Sequence, residues 1–250
     1  MIGRQKEDCI PAKGLFITGT DTGVGKTVVA AAIARHMSRK NLSVAVLKPV
    51  TSSAVEKGGS LVSEDAELLR WASGCEAPVN LTSPYVLRDA IAPSEAARHE
   101  DREIRFEPIR EAYEQLAASH DLVIVEGAGG LLVPLAQDLL VADLPVRLGL
   151  PMLIVARPDL GTVNHTLMTC ECALARHIRV VGIIINNQAC NPAAAEEYAP
   201  RLISELAAVP LLGVLPRIEA RDDRDLVAKL APAIAGILLE TMLAAEVNCG

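Results

Sequence analysis

Six short runs of mainly apolar residues constrain the fold more than any other feature of this sequence. They are GLFIT (14–18), SVAVLK (43–48), DLVIVE (121–126), PMLIVA (151–156), VVGIII (180–185) and PLLGVL (210–215). Nearly unbroken apolar strings are typical of strands buried on both faces, as in a parallel sheet covered by helices. Helices are predicted between them, at 25–40, 63–73, 107–119, 163–177 and 194–208. This alternation predicts an α/β fold with a doubly wound, mostly parallel sheet and helices on both faces.

The sequence contains no internal repeat, low-complexity tract or linker that would divide it. A length of 250 residues lies within the range of single α/β domains. We therefore predict one domain over residues 14–250, preceded by a loose polar leader at residues 1–13. The segment from about 222 to 246 is interpreted as a closing amphipathic helix.

Composition disfavours several classes of function. The net charge of −7 argues against a surface for nucleic acid or an anionic membrane, because either needs clustered lysine and arginine. Only 2% of the residues are aromatic, which leaves little material for stacking bases. No apolar run reaches the ~18 residues of a membrane span. The six cysteines lack C-x-x-C spacing and follow no secretory leader, so we expect a cytoplasmic protein that handles small molecules.

The segment TGTDTGVGKT (18–27) follows the first predicted strand and opens the first predicted helix. Its end matches the phosphate-binding pattern G-x-x-x-x-G-K-[ST], although Thr20 stands where the pattern requires glycine. The glycines let backbone N–H groups face phosphate oxygens, and the start of the helix adds the positive end of its dipole. We expect Lys26 to reach the β- and γ-phosphates and the Thr27 hydroxyl to bind magnesium. The segment is interpreted as the P-loop of a nucleotide site.

Polar residues end or follow other predicted strands, at the sheet edge where ligands of open parallel sheets bind. Lys48 and Glu126 end the second and third runs, and Asn186 follows the fifth, so these three are expected to converge. Lys48 could instead be a strand-end charge in solvent, and Glu126 a helix cap or a surface residue. We favour functional roles, because Pro49 fixes the turn after Lys48 and the small residues after Glu126 leave room for a ligand.

Spacing leaves two choices open at this point. Asp65 begins a predicted helix, but nothing in the spacing selects it over Glu64 as a functional acid. Asn186 and Asn187 suit recognition of the adenine edge, but asparagines that form turns fit the sequence equally well.

Seven segments, taken together, resemble the dethiobiotin synthetases in order and spacing. They are TGTDTGVGKT, KPVTSS, SEDAELL, VEGAGGLLVPL, DLGTVNH, GIIINN and LLGVLPRI, and they cover about residues 14 to 218. The threonine at the nominal first glycine of the loop is characteristic of that family. The resemblance implies a fold of the P-loop NTPase type and an ATP-dependent enzyme of biotin biosynthesis.

That family closes the cyclic urea of dethiobiotin from 7,8-diaminononanoate, carbon dioxide and ATP. One amine takes up carbon dioxide as a carbamate, ATP phosphorylates the carbamate, and the second amine displaces phosphate. The resemblance therefore implies Mg²⁺ as a cofactor and ATP, 7,8-diaminononanoate and carbon dioxide or bicarbonate as ligands. It also implies a homodimer with the substrate site at the subunit interface.

The resemblance assigns roles to individual positions. Lys48, Lys26 and Thr22 correspond to catalytic residues. The magnesium ligands correspond to Thr27, Asp65 and Glu126, which selects Asp65 over Glu64. The positions implied to contact ATP are Gly23, Val24, Gly25, Lys26, Thr27, Val28, Asp65, Glu126, Gly127, Ala128, Gly129, Asn186, Asn187 and Pro216. The positions implied to contact the substrate are Ser52 and, at a helix N-terminus of the neighbouring subunit, Gly161, Thr162, Val163 and Asn164.

Two other functions fit the predicted fold. The first is a dimerising switch ATPase of the partitioning or septum-placement class. Such proteins carry an additional lysine early in the loop, where this chain has Thr22 and Gly23. The second is the amidating half of a cobyrinate-type synthase, which would need an appended glutaminase domain for which 250 residues leave no room.

Overall fold

The structure, a computed structural model, describes residues 13–238. The predicted leader at 1–13 lies outside the described residues except for Lys13, as does the part of the predicted closing helix beyond Leu238. The strands are β1 Gly14–Gly19, β2 Val44–Leu47, β3 Val50–Thr51, β4 Val55–Lys57, β5 Ser60–Val62, β6 Tyr85–Val86, β7 Leu122–Glu126, β8 Pro134–Ala136, β9 Leu139–Leu140, β10 Met152–Ala156, β11 Val180–Gln188 and β12 Leu211–Pro216. The helices are α1 Lys26–Arg39, α2 Glu64–Ser73, α3 Val79–Thr82, α4 Pro93–His99, α5 Phe106–Ser119, α6 Asp143–Leu148, α7 Thr162–Ala175, α8 Ala194–Leu206 and α9 Asp223–Leu238.

The six predicted apolar runs form one parallel sheet, with the strand order β12-β11-β10-β1-β7-β2. Each neighbouring pair in this sheet is parallel. The strand β1 therefore lies between β7 on one side and β10 on the other. Ligands of such sheets bind beyond the carboxyl ends of the strands, so the crevice after β1 is the position that the topology favours.

Every residue of β1, β2 and β10 is buried. Because successive side chains of a strand point to opposite faces, complete burial requires that both faces be covered. Contacts show how this is done, since α1 packs against α2 and α9, α5 packs against β2 and β7, and α7 packs against β10 and α8. The prediction of a doubly wound α/β sheet with helices on both faces is confirmed.

Small buried side chains and arginine–tryptophan contacts pack α1 against its neighbouring helices. Four alanines of this helix are fully buried, and their small side chains let it lie close to its neighbours. The guanidinium carbons of Arg35 and Arg224 lie 4.5 Å and 5.4 Å from the centre of the Trp71 ring. These cation–π contacts join α1, α2 and α9, and they add to the burial of Val227, Leu230 and Ile234 of α9 in the core.

The strand ends and the short elements differ from the predictions. The strand β11 continues through Asn186 and Asn187, and β12 includes Pro216, whereas these residues were expected to follow the strands. The pairs β3–β6, β4–β5 and β8–β9 and the helices α3, α4 and α6 were not predicted. Elements of two to seven residues are too short to show a periodicity that distinguishes them from loops.

Within residues 13–238, no helix is long and apolar enough to cross a membrane.

Candidate active site

The P-loop (residues 18–27) connects β1 to α1 and has two glycines in the left-handed region. Gly25 has a φ of +87°, and a β-carbon added there would overlap the side-chain amide nitrogen of Asn186. Gly23 has a φ of +75° and no neighbour within 4 Å of such a β-carbon. Gly25 is therefore required both by its backbone conformation and by the close approach of Asn186, whereas Gly23 is required by conformation alone.

The start of α1 is suited to an anion. No side chain caps the helix, because its N-cap residue is Gly25, and the first turn contains no acidic residue. Lys26 is the first residue of the helix, and its side chain folds back so that Nζ donates to the carbonyl oxygen of Asp21 at 2.9 Å. Burial lowers the pKa of Lys26, and the positive charge of Lys48 adds to this effect, while nearby carboxylates oppose it.

Four side chains meet beside the P-loop, and we call them the rim cluster: Thr27, Lys48, Asp65 and Glu126. The Lys48 ammonium donates to Glu126 Oε1 at 2.6 Å and lies 2.8 Å from Asp65 Oδ2. The Thr27 hydroxyl lies 2.9 Å from Glu126 Oε1 and 3.0 Å from Asp65 Oδ1. The side chains of Lys48 and Glu126 are 5% and 0% exposed, so this ion pair is almost completely removed from water.

The fold brings the rim cluster together from separate elements. Glu126 is the last residue of β7, and Lys48 follows β2, the neighbouring strand. Asp65 lies in the first turn of α2, where Ser63 is the N-cap and its hydroxyl accepts from the backbone N–H of Ala66 at 3.1 Å. Spacing alone could not choose between Asp65 and Glu64. The structure separates them, because the Glu64 carboxylate is exposed and pairs with Lys57 at 3.4 Å.

Electrostatics keep Lys48 protonated. Burial opposes its charge, but the carboxylates of Glu126 and Asp65 outweigh this effect and hold the pKa of Lys48 above its ordinary value. Partial burial likewise opposes ionisation of Asp65, yet Lys48 and the hydrogen bond from Thr27 hold the pKa of Asp65 below its ordinary value. Burial raises the pKa of Glu126, and Lys48 opposes that shift. At neutral pH, Lys48 is therefore a fixed cation and is not available as a base.

The rim cluster also has the donor set of a magnesium site. Glu126 Oε2 is buried without a hydrogen-bond partner among the described residues. Together with the Thr27 hydroxyl and the Asp65 carboxylate, it offers the oxygen donors that a small hard cation prefers. Within residues 13–238, no group of three or more His, Cys, Asp or Glu side chains could hold a metal. Mg²⁺ is commonly bound by one or two carboxylates plus substrate phosphates, so two carboxylates and a hydroxyl fit this ion.

The glycine segment after β7 lies beside the P-loop. A β-carbon on Gly127 would come within 3.0 Å of the Phe16 ring and of Val141. Gly129 has a φ of +66°, and its β-carbon would be 3.5 Å from Thr22 Oγ1. The sequence interpretation explained these small residues by the approach of a ligand. The structure adds that Gly127 is required by packing against Phe16, whereas Gly129 and the following Gly130 border the P-loop.

On the other side of β1 lies an open cavity of about 310 Å³, which we call the P-loop cleft. Asn186 borders it, and its side-chain amide donates to the carbonyl oxygen of Val24 at 3.0 Å, which fixes the P-loop against β11. The Asn187 side chain accepts a hydrogen bond from Arg217 Nε at 3.3 Å. The residues that line the cleft are Thr22, Gly23, Val24, Gly25, Val28, Arg157, Pro158, Asp159, Asn186, Asn187, Pro216, Ile218, Leu226 and Leu230.

Two groups of predicted substrate residues lie apart from these contacts. Ser52 follows β3 and is half-buried, and its carbonyl oxygen accepts from the Ser53 hydroxyl. The segment Gly161, Thr162, Val163 and Asn164 forms the start of α7 and does not line the P-loop cleft among the described residues. Gly161 has a φ of +94°, no side chain caps the helix, and the first turn contains no acid.

Several cleft residues were not singled out from the sequence. Arg157 and Asp159 follow β10, Ile218 follows β12, and Leu226 and Leu230 lie on α9. The segment RPD after the fourth apolar run was a visible signal, because polar residues at the carboxyl end of a parallel strand face the ligand edge. The α9 leucines carried no such signal, because apolar residues on a helix are normally core.

Comparison with solved structures places the fold. A ParA family ATPase from Chlorobium tepidum superimposes with a TM-score of 0.53 at 18% identity, covering 95% of this chain and 100% of that one. The septum site-determining protein MinD from Pyrococcus horikoshii, in complex with Mg-ADP, superimposes with a TM-score of 0.56 at 16% identity, covering 94% of this chain and 96% of that one. At such low identity these likenesses show the fold alone.

The sheet order and the P-loop define the chain as a member of the P-loop nucleotide-binding class of α/β proteins. A family described as "AAA domain" matches residues 13–224. The chain belongs to that family and, more narrowly, to the ATP-dependent dethiobiotin synthetases BioD. One relative is BioD of Bacillus licheniformis, which is 40% identical over 83% of this chain and 87% of its own length. Another is BioD of Anaeromyxobacter sp. (strain K), which is 43% identical over 82% of this chain and 90% of its own length.

Proposed function

We propose that this protein is a dethiobiotin synthase, which closes the cyclic urea of dethiobiotin from 7,8-diaminononanoate, carbon dioxide and ATP in the cytoplasm. The observation that carries the proposal is the rim cluster. A buried lysine, held at 2.6 Å and 2.8 Å from two carboxylates, lies next to the threonine of a P-loop in a chain that is 40% identical to a BioD protein. Lysine, acids and loop are the groups that phosphoryl transfer needs.

The proposed reaction proceeds in three steps. One substrate amine adds to carbon dioxide and loses a proton, which gives a carbamate. A carbamate oxygen then takes the γ-phosphoryl group of ATP, which releases ADP and leaves a carbamic–phosphoric anhydride. The second amine attacks the carbonyl carbon, the carbon–oxygen bond to phosphate breaks, and the ring closes with loss of a proton. No covalent bond to the protein forms, so the protein positions the reactants and stabilises charge.

Lys48, Lys26 and Thr22 would carry that task. The two carboxylates keep Lys48 protonated, which suits it to stabilise negative charge on carbamate and phosphoryl oxygens. Lys26 begins α1 and would release the Asp21 carbonyl oxygen to reach the β- and γ-phosphates. Thr22 borders both Gly129 and the P-loop cleft, where it would contact the transferred group.

Thr27, Asp65 and Glu126 would hold Mg²⁺, as their oxygen donors and the unpartnered Glu126 Oε2 support. When bound, the ion neutralises charge on the β- and γ-phosphates. The same two carboxylates also hold Lys48, so its ammonium group would remain close to the phosphoryl group.

The P-loop cleft supports the proposed nucleotide site. Residues 22–28 would wrap the triphosphate, with Asp65, Glu126 and the segment 127–129 at its γ-phosphate end. The adenine would lie between Asn186, Asn187 and Pro216, against the apolar side chains of Ile218 and Leu226. A cleft of about 310 Å³ is within the size range of small-molecule sites.

The diaminononanoate would bind between two subunits of a homodimer. The start of α7, at Gly161, Thr162, Val163 and Asn164, has no side-chain cap, and it lies outside the cleft of its own chain. A helix N-terminus attracts carboxylates, so it would receive the substrate carboxylate bound to the neighbouring subunit, where Ser52 would contact the substrate. Leu160 and Met168 nearby are 83% and 56% exposed, which supports a protein contact on this face.

The switch-ATPase alternative has less support. The ParA and MinD likenesses are at 16% to 18% identity and concern the fold. The early loop lysine of that class is absent here, because Thr22 and Gly23 occupy those positions.

The test is phosphate release from ATP by the purified protein. We expect release only when 7,8-diaminononanoate and bicarbonate are both present, with dethiobiotin formed in equal amount by mass spectrometry. Omitting either compound is the control. Equal hydrolysis without the diamine would contradict the proposal and favour the switch class.

A further inference from the structure

Arg157 is placed where a ligand would lie but has no role in the proposed site so far. It directly follows β10, between the P-loop strand and β11. Val155 is paired with Gly19 of β1, and Ala156 with Ile185 of β11. The backbone N–H of Thr20 donates to the carbonyl oxygen of Val155 at 3.0 Å, so the P-loop is bonded to the residue two positions before Arg157.

The Arg157 guanidinium has no protein partner among residues 13–238. Its Nε is buried without a hydrogen bond. The Nε of Arg35 is also buried without a hydrogen bond, but the Arg35 guanidinium lies 4.5 Å from the centre of the Trp71 ring, whereas Arg157 has neither a ring contact nor an ion pair in the described part of the chain. Asp159 borders the same cleft, but no ion pair joins it to Arg157 in the described part of the chain. A buried donor without an acceptor costs free energy unless a ligand supplies one.

The surroundings indicate which ligand group that would be. Arg157 lines the P-loop cleft together with Thr22 and Gly23 of the P-loop. The apolar side chains of Ile218, Leu226 and Leu230 also line it and suit the base. A guanidinium presents N–H donors in a planar fork that matches phosphate oxygens. The P-loop side of the cleft therefore places a guanidinium beside Thr22 and Gly23, in the segment proposed to wrap the phosphates.

We propose that Arg157 is a nucleotide-binding residue whose guanidinium donates to a phosphate group of ATP in the P-loop cleft. This inference rests on the proposed function in that it takes the cleft as the ATP site. It adds a phosphate contact from the strand next to β1, outside the P-loop and the rim cluster.

The test compares binding of ATP, ADP, AMP and adenosine to wild-type protein and to Arg157→Gln by isothermal titration calorimetry. The contact predicts that ATP binding weakens about tenfold or more, while adenosine binding changes less than about twofold. The compound with the fewest phosphates whose affinity falls identifies the contacted group: AMP indicates the α-phosphate, ADP the β-phosphate and ATP the γ-phosphate. Arg157→Lys, which keeps the charge without the fork, should recover part of the lost ATP affinity.

The matched control is Arg179→Gln. Arg179 is exposed and precedes β11, at the opposite edge of the sheet, so nucleotide affinities should not change. Unchanged ATP binding in folded Arg157→Gln would overturn the inference, as would an equal loss for adenosine and ATP. Calorimetric binding of ATP, ADP, AMP and adenosine is measured without diaminononanoate. The inference can therefore fail while phosphate release still requires diaminononanoate, and it can hold if that requirement fails.

Discussion

The rim cluster and the P-loop cleft lie on opposite sides of β1, and their polar groups are satisfied in different ways. In the rim cluster, an ammonium, two carboxylates and a hydroxyl contact one another within 3.0 Å, mostly out of water. In the cleft, Arg157 Nε has no partner in the described chain, and apolar side chains form part of the lining. The charged groups of the rim cluster are thus paired with one another and leave Glu126 Oε2 without a hydrogen bond, whereas the cleft contains a guanidinium that no protein group pairs with in the described chain.

The largest expected effect comes from removing the central cation of the rim cluster. Lys48→Met leaves Glu126 buried without its ion-pair partner and takes away the charge that would stabilise the reacting oxygens. We expect turnover to fall at least about a hundredfold, or about 2.7 kcal/mol in transition-state stabilisation, while ATP affinity changes less than about threefold. Steady-state phosphate release and calorimetric ATP binding measure the two quantities.

The control for this change is Lys57→Met. Lys57 is half-exposed and pairs with Glu67 at 2.9 Å, and exposed ion pairs contribute little. Its activity should equal that of the wild type. If Lys48→Met turned over normally, or if it lost ATP binding as severely as turnover, the division of tasks between rim cluster and cleft would be wrong.

The second prediction concerns Gly25, the P-loop residue that lies against Asn186 in the cleft. Gly25→Ala places a β-carbon where the Asn186 amide lies and at a φ of +87°, so the Asn186 side chain must move and its hydrogen bond to the Val24 carbonyl oxygen is disturbed. We expect ATP affinity to fall about tenfold or more, with a loss of stability of about 1–2 kcal/mol or more from the left-handed conformation alone. Calorimetric titration and urea unfolding provide the two values.

The control is Gly74→Ala, which introduces the backbone strain of a left-handed residue without a steric clash. Gly74 ends α2 with a φ of +73°, and nothing lies within 4 Å of its added β-carbon. This variant should lose similar stability from strain and bind ATP normally. Equal ATP affinities of the Gly25 and Gly74 variants would show that the contact with Asn186 does not shape the site.

The same two regions show what could be predicted from the sequence. The six main strands were predictable because burial on both faces leaves apolar strings that need no long-range information. Convergence of Lys48 and Glu126 also followed, since the carboxyl ends of parallel strands share one edge. The choice of Asp65 over Glu64 came from the family resemblance and not from spacing, because it depends on how α2 is oriented by its cap at Ser63.

Most of the cleft could not be predicted from local sequence. The bond from Asn186 to the Val24 carbonyl oxygen joins residues 162 positions apart, and no spacing rule connects them. A lone arginine after a strand resembles any surface arginine until its neighbours are known to leave Nε without an acceptor. Gly127 was explained by a ligand, whereas its packing against Phe16 is visible only in three dimensions.

The smallest expected effect tests how the apolar wall of the cleft is held. At the start of α9, the Asp222 carboxylate accepts from the backbone N–H of Asp225 at 2.8 Å. Asp225 in turn accepts from the Arg221 N–H at 3.1 Å and pairs with Lys229 at 2.9 Å. The hydrogen bond from Lys229, followed by that from Arg221, lowers the pKa of Asp225 to about 2. The cap stabilises the helix that carries Leu226 and Leu230.

Asp225→Asn should therefore lower stability to urea at pH 7 and weaken ATP binding by no more than about threefold. A carboxyl whose pKa is lower in the folded than in the unfolded state contributes stability above the unfolded value, 3.8, and loses it as the pH falls toward about 2. The difference in urea midpoint between wild type and variant should be constant from pH 7 to 5 and should narrow below pH 4. Asp223→Asn removes an equal charge from the same turn without breaking these hydrogen bonds. Its urea midpoint should therefore differ less from that of the wild type than the midpoint of Asp225→Asn does. A difference that widened as the pH fell would mean that the ionised Asp225 does not stabilise α9, and the wall of the cleft would have to be held by its packing alone.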